Sequence, residues 1–113
     1  MNKFKFKKES PAPAVWQVWL AYVEFEGDDI GKRRPVLVTE TSGSSCTIIE
    51  ITSKPPSCAS DIAITDLDIA GLGKASVIQV QKMRTVQKTS LKSYLGTLSY
   101  GDRNIVKNAI WRR

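Results

Sequence analysis

Three stretches of this chain place cations or hydroxyls where chemistry on a phosphate can occur. The first is Gly31-Lys32-Arg33-Arg34-Pro35, directly before the apolar run Val36-Leu37-Val38. Three consecutive cations at the entrance of a strand hold guanidinium forks at a loop–strand junction, where they can engage phosphate oxygens bidentately. The same run also fits a solvated charged surface. The second stretch is Ile51-Thr52-Ser53, two hydroxyls at the far end of another apolar run. They can donate to a phosphate or cap a turn. The third is residues 79–85, where Gln79 and Gln81 precede Lys82-Met83-Arg84-Thr85 and Arg84 again puts a cation near a strand end.

Other chemistries are excluded by composition. The chain has no histidine, so Ser–His–Asp triads, Cys–His pairs and histidine zinc sites cannot form. Cys46 and Cys58 lie in neither a CxxC nor a zinc-like spacing, and two cysteines do not staple a secreted scaffold. A reducing cytoplasm with free thiols is the expected setting. No GxxxxGK[ST] or GxGxxG motif is present, and Gly71-Leu72-Gly73 lacks the third glycine. Acid–base groups must therefore come from Arg, Lys, Tyr, Asp, Glu or hydroxyls.

The elements that position these residues are mostly strands, because the apolar period is mostly two. Residues 15–25, rich in Val, Trp, Tyr and Phe, read as a long first strand; Trp16, Trp19, Tyr22 and Phe25 read as core and barrel surface rather than ligand-stacking groups. Residues 35–40 and 46–51 form β-branched runs joined by a hairpin loop over 41–45. Pro55-Pro56 makes 54–60 a loop, since proline cannot donate to a ladder. Strands follow at 61–65 and 76–80, separated by an irregular glycine-containing stretch, and a last strand at 94–98. The period then changes: Ile105, Val106, Ala109 and Ile110 share one helix face, with Ser99 and Asp102 spaced as a capping box. Trp111 reads as a packing residue at the helix end. Five or six short strands and one terminal helix describe a mainly β protein, a small, partly open β-barrel.

With 113 residues, 42% apolar and 25% charged, the chain matches one globular domain. Its longest apolar stretch, 14–23, falls short of the roughly 20 residues a membrane helix needs, and no secretory signal follows the basic start. The net charge of +6 is unevenly placed. Residues 1–10 carry four lysines and one glutamate, Arg112 and Arg113 end the chain, and everything between is nearly neutral. The total is thus weak evidence for a nucleic-acid surface; the few cations at strand junctions are better evidence.

The segments GKRRPVLV, TIIEITS, SVIQVQKMRTV and LSYGDRNIVKNAI, in that order and spacing, resemble the MazF/PemK family of toxin endoribonucleases, over residues 15–112. The resemblance implies an SH3-like barrel with a C-terminal helix over 14–113 and a homodimer. It implies cleavage of single-stranded RNA such as mRNA without a metal, and a cognate antitoxin whose tail covers the RNA groove. It places the catalytic groups at Arg34 and Thr52, with Lys32, Arg33, Ser53, Gln79, Gln81 and Arg84 as substrate-binding residues. Arg34 would clamp the phosphate and assist proton transfer, and Thr52 would donate to a phosphoryl oxygen. The sequence departs from the family pattern in three places. Gln81 stands where many members have an acid, Gln79 where some have a base, and Trp16-Gln17 where a Gly-Asp pair commonly opens the first strand.

The basic arm of residues 1–13, with its alternating Lys3-Phe4-Lys5-Phe6-Lys7-Lys8, lies outside the resemblance. It can track a nucleic-acid backbone, or serve as a solubilising tail or a strand across a dimer. Two other readings stand beside the nuclease. One is a catalytically reduced RNA- or protein-binding module, motivated by Gln79 and Gln81. The other is a CcdB-like gyrase inhibitor acting through Trp111. Loops 26–33 and 54–60 are expected to choose the RNA sequence.

Overall fold

Apolar–polar alternation yields six strands, which pair into one antiparallel sheet in the computed structural model, whose described residues are 11–22 and 33–111. In chain order they are β1 (Gln17–Tyr22), β2 (Arg33–Ser42), β3 (Ser45–Thr52), β4 (Asp61–Ala63), β5 (Val77–Gln87) and β6 (Leu91–Thr97). A short helix, α1 (Leu67–Ala70), lies between β4 and β5, and α2 (Tyr100–Trp111) closes the chain. The spatial order is β4-β5-β3-β2-β1-β6, so β3 and β2 are central and the curved sheet stays open between β4 and β6. The mainly β fold with a terminal helix expected from the sequence is present. The N-terminal arm to residue 10, Lys32 and most of loop 26–33 lie outside the described residues.

Both faces of the sheet carry buried apolar residues, because successive residues along a strand point to opposite sides. One core holds Val18, Leu37, Ile49, Ile51, Ile78 and Val80 against Leu98 and Val106 of the C-terminal segment. The other gathers Trp19, Ala21, Val36, Val38, Cys46 and Ile48 with Leu91. Burial pushes the Cys46 thiol pKa up, so it stays protonated and inert; Cys58 is exposed and free. Of the aromatics read as core, Trp19 is buried, whereas Tyr22 is 43% exposed.

Several local details differ from the sequence reading. The hairpin loop is two residues, Gly43-Ser44, with Ser42 paired to Ser45 and Gly43 at φ +58°; tight hairpins need that left-handed residue to match the strand twist. Strand β5 runs 11 residues along β3, with a register shift beside Glu50, and its first residues, Val77 to Gln79, also pair with β4 on the other side. Trp16 is the one described non-glycine with positive φ, 75°. Its backbone bridges Val38 and Leu98 through bonds of 2.7 and 2.8 Å.

Helix α2 starts where expected, with the Asp102 amide donating to Ser99 Oγ at 3.1 Å. The Asp102 carboxylate does not close the capping box. It is buried and accepts from Thr65 N, Thr65 Oγ1 and Asp66 N at 2.8–3.2 Å, tying α2 to the turn that begins α1. Val106 is buried and Ala109 and Ile110 pack on the core, but Ile105 is exposed. Trp111 is 83% exposed rather than packed at the helix end. No helix among the described residues is long and apolar enough to cross a membrane.

Candidate functional site

The cation run and the hydroxyl pair meet because β2 and β3 are antiparallel neighbours. Val36 pairs with Glu50, Leu37 with Ile49 and Val38 with Ile48. Carrying that register two residues further sets Arg34 opposite Thr52, on the last row of the ladder. On its other side, β2 pairs Arg34 with Ala21 and Arg33 with Tyr22 of β1. A cleft of ≈ 380 Å³ opens at this end of the sheet and is lined by Arg33, Arg34, Thr52 and Ser53 together. Four of the eight residues singled out in the sequence thus share one cavity.

The opposite wall is built by the segment after α1. Asp66 caps that helix by accepting from Ile69 N at 3.2 Å, and Gly71 ends it at φ +75°, with Leu72 N donating to Leu67 O at 2.9 Å. The helix end rests backbone to backbone on β6: a Cβ on Gly71 would lie 1.9 Å from Leu95 O, and one on Gly96 2.4 Å from Ile69 O. This contact brings Gly71-Leu72-Gly73-Lys74 over the cleft. Of the two glycines read as an incomplete phosphate motif, Gly71 therefore serves a close approach while Gly73 has open space around it, and Lys74 arrives with them.

Thr52 Oγ1 accepts a hydrogen bond from Lys54 N at 3.2 Å. A hydroxyl has one proton to give, and that of Thr52 has no acceptor among the described residues. Arg34 is half-buried, and it and Glu50 each already have an interaction partner. Lys54 and Lys74 also line the cleft, so its described lining carries four cations and no carboxylate. Nearby, Asp61 on β4 accepts from Ser57 N (2.8 Å), Ser57 Oγ (3.2 Å) and Cys58 Sγ (3.4 Å). The Ser57 amide above all holds its carboxyl below the usual aspartate range. Among the described residues no group of three or more Asp, Glu or Cys converges as metal ligands would.

The remaining sequence candidates lie elsewhere on the sheet. Gln79 pairs with Asp61, and its Oε1 is buried with no hydrogen-bond partner among the described residues. Gln81 and Arg84 are exposed on β5, and Arg84 faces Ile48 in mid-strand rather than at a strand end. Lys32 is outside the described residues. Sequence reasoning missed Lys54, Lys74 and Ser76 in the lining, and Glu50, 6% exposed on the strand that carries Thr52. Only Lys54 had a visible signal, following Thr52-Ser53 directly.

Comparisons with known proteins bear on the family and the fold. Residues 14–112 match the family model described as PemK-like, MazF-like toxin of type II toxin-antitoxin system. An endoribonuclease solved in complex with its cognate antitoxin, from Mycobacterial species, superposes with a TM-score of 0.71 at 17% identity, covering 89% of this chain and 93% of that one. MazF from Deinococcus radiodurans gives 0.70 at 18% identity, covering 91% and 96%. The Mycobacterium tuberculosis toxin MazF-mt6 gives 0.69 at 20% identity, covering 85% and 93%. At these identities the structural likeness speaks for the fold. Among curated proteins no sequence match was found.

Proposed function

Because this chain belongs to the PemK-like, MazF-like toxins of type II toxin–antitoxin systems, we propose that it is an endoribonuclease that cuts single-stranded RNA in the Arg34–Thr52 cleft. The observation that carries this reading is the convergence of Arg33, Arg34, Thr52 and Ser53 on one cavity whose described lining has cations and no acid. A polyanion is drawn to such a lining, and donors placed around a phosphate stabilise the charge that develops on it.

The chemistry uses the substrate's own 2′-hydroxyl. Its oxygen attacks the adjacent phosphorus as its proton leaves; the bond to the 5′-oxygen breaks, and that oxygen takes up a proton. The products are a 2′,3′-cyclic phosphate and a 5′-hydroxyl. The Arg34 guanidinium, a fixed fork of donors, clamps the non-bridging oxygens and supports protonation of the leaving oxygen. Thr52, whose oxygen is already steered by the Lys54 amide, gives its proton to a phosphoryl oxygen. Arg33, Ser53, Lys54 and Lys74 hold the flanking backbone. Exposed Gln81 and Arg84 on β5, with Lys32 and Gln79, are proposed to contact the strand beyond the cleft.

The same reading includes a homodimer and a cognate antitoxin; the mycobacterial endoribonuclease of this fold was solved in complex with its own. The test is to incubate purified protein with total RNA in EDTA and map the new 5′ ends. Cutting at a defined short sequence, with 2′,3′-cyclic phosphate on the upstream fragment, is the expected result. Salt-sensitive RNA binding without any cutting would favour the binding-module reading instead.

A further inference from the structure

The nuclease reading leaves residues 1–10 unused. The family match begins at residue 14, so they lie outside the shared domain. They carry four lysines and one glutamate, half of the net charge of +6, and Lys3-Phe4-Lys5-Phe6-Lys7 alternates cation and ring. A period of two separates cations from rings along an extended path. It does not make an amphipathic helix, whose like residues recur every three or four positions. The structure fixes where this arm is rooted. Ala14 N donates to Gln17 Oε1 at 2.8 Å, Gln17 N donates to Ala14 O at 3.2 Å, and the Trp16 backbone is bonded to Val38 and Leu98. Pro11, Ala12 and Ala14 are exposed ahead of that turn, and Pro11 and Pro13 restrict the backbone there.

From that root the cleft is close. Strand β1 runs toward it, and Ala21, which pairs with Arg34, is four residues beyond Gln17, about 13 Å along the strand. Ten residues can span up to about 35 Å, so RNA leaving the cleft passes within the arm's reach. Single-stranded RNA offers a phosphate at every nucleotide and a ring face beside each one, a counterpart for both residue types. An acidic peptide offers charge without rings and leaves Phe4 and Phe6 unmatched. An anionic lipid surface meets charge and ring alike, but two phenylalanines anchor weakly there, and the root's nearness to the cleft would serve nothing. We propose that residues 3–8 are a second RNA-binding element, whose lysines follow the phosphates outside the cleft while Phe4 and Phe6 stack on bases. The arm raises affinity because its contact with a strand already held in the cleft is intramolecular. The inference rests on the endoribonuclease reading for the ligand in the cleft.

Two variants of the full chain test this: Lys3→Gln, Lys5→Gln, Lys7→Gln and Lys8→Gln combined, and Phe4→Ala with Phe6→Ala. Binding is measured across salt concentrations on uncleavable 2′-O-methyl RNA, one long single strand and one only long enough to fill the cleft. Cleavage is measured on the matching unmodified RNAs. On long RNA the lysine variant should bind about tenfold or more weaker at low salt. Its slope of log affinity against log salt should be shallower by up to about 3, four contacts at about 0.7 each. The phenylalanine variant should lose about fivefold or more with the slope unchanged. On the short RNA both should match wild type. In cleavage of long RNA, KM should rise and kcat stay, as for contacts made equally in ground and transition states. Unfolding temperatures near the wild-type value establish that the variants are folded. Wild-type affinity and slope for the lysine variant on long RNA overturn the inference, and so does an equal loss on the short RNA. Lost dimerisation with unchanged RNA binding would give the arm to a subunit interface; lost binding to phosphatidylglycerol vesicles alone would give it to a membrane. Either result also overturns it. If wild type binds long RNA through the arm but cuts nothing, the nuclease reading fails and the arm's role stands.

Discussion

The two ends of the β2–β3 ladder are built from the same kinds of residues and differ in what surrounds them. At the cleft end, Arg34 and Thr52 occupy the last row, under the α1 segment. Toward the hairpin end, Arg84 lies on the row of Val38 and Ile48, and pairing puts it on the same face of the sheet as Arg34. Four residues along a strand separate the two rows, about 13 Å. Both arginines can touch one RNA chain, but they cannot clamp one phosphate. A cation near a β-branched run is thus a weak signal alone; what distinguishes Arg34 is a hydroxyl across the ladder and a wall above it.

The largest expected effect tests that distinction directly. Arg34→Ala and Thr52→Ala should each lower the rate of RNA cleavage by about 10²–10³-fold, the range for removing one preorganised donor to a developing charge. Arg84→Ala and Gln81→Ala should cost about tenfold or less and act chiefly on KM, as for contacts made equally in ground and transition states. Initial rates across RNA concentrations separate the cases. An Arg84→Ala variant as crippled as Arg34→Ala would break the comparison.

The glycines of the two ends give the next contrast, read in stability. Gly71 has φ +75° and no room, since a Cβ would collide with the Leu95 carbonyl; Gly43 has φ +58° and nothing within 4 Å. Gly43→Ala should cost only the left-handed penalty, about 1 kcal/mol. Gly71→Ala adds a backbone clash and should cost about 3 kcal/mol or more. It should also lower cleavage by lifting the wall that carries Lys74. Urea unfolding of both variants checks the ranking, and equal losses would show that the α1–β6 approach is not rigid.

These contrasts mark what was legible in the sequence. The β2 and β3 runs were plain because both are dense in β-branched residues, and their adjacency follows from a short Gly-containing turn. Arg34 and Thr52 could be paired because each sits at the end of such a run. Helix α1 was hidden: four residues are too few to show a 3.6 period, and its stability comes from Asp66, Gly71 and the Gly96 surface rather than from its own pattern. The wall it builds, and with it Lys74 and Ser76, was invisible for that reason. Ser99 and Asp102 were correctly spaced to start α2, but the pattern could not say that the Asp102 carboxylate is turned to Thr65, 37 residues away.

Asp102 and Glu50 sharpen the comparison from beneath the surface. Asp102 holds the turn before α1 by charge-assisted bonds to two amides and a hydroxyl, so Asp102→Ala leaves three donors without their acceptor. A loss of about 2–3 kcal/mol in chemical unfolding is expected, with Asp102→Asn recovering part of it. Glu50 lies on the row between those of Arg34 and Arg84, buried and partnered. Glu50→Gln keeps its shape and removes its charge, and about 1–2 kcal/mol should be lost. If Glu50 orders the cleft end, kcat should fall with it; unchanged kcat at reduced stability would limit it to the core.

The smallest effect belongs to the loop between β3 and β4. Asp61 fastens Ser57 and Cys58, one turn beyond Pro55-Pro56, and its folded pKa lies below the ordinary aspartate value because the Ser57 amide favours the carboxylate. A lowered carboxyl pKa adds stability that is fully present above the unfolded value and is lost as pH falls through the folded one. At neutral pH the loop is therefore fastened, and acidification below the ordinary aspartate range should release it before the sheet unfolds. The Ser57 amide should exchange with solvent faster on acidification, relative to β3 amides measured alongside. Asp61→Asn should remove that pH dependence while leaving β2 and β3 protected. If Ser57 protection stays flat across the acid range in wild type, the loop is held by its prolines alone, and the pH independence of the cleft end would then match that of the hairpin end.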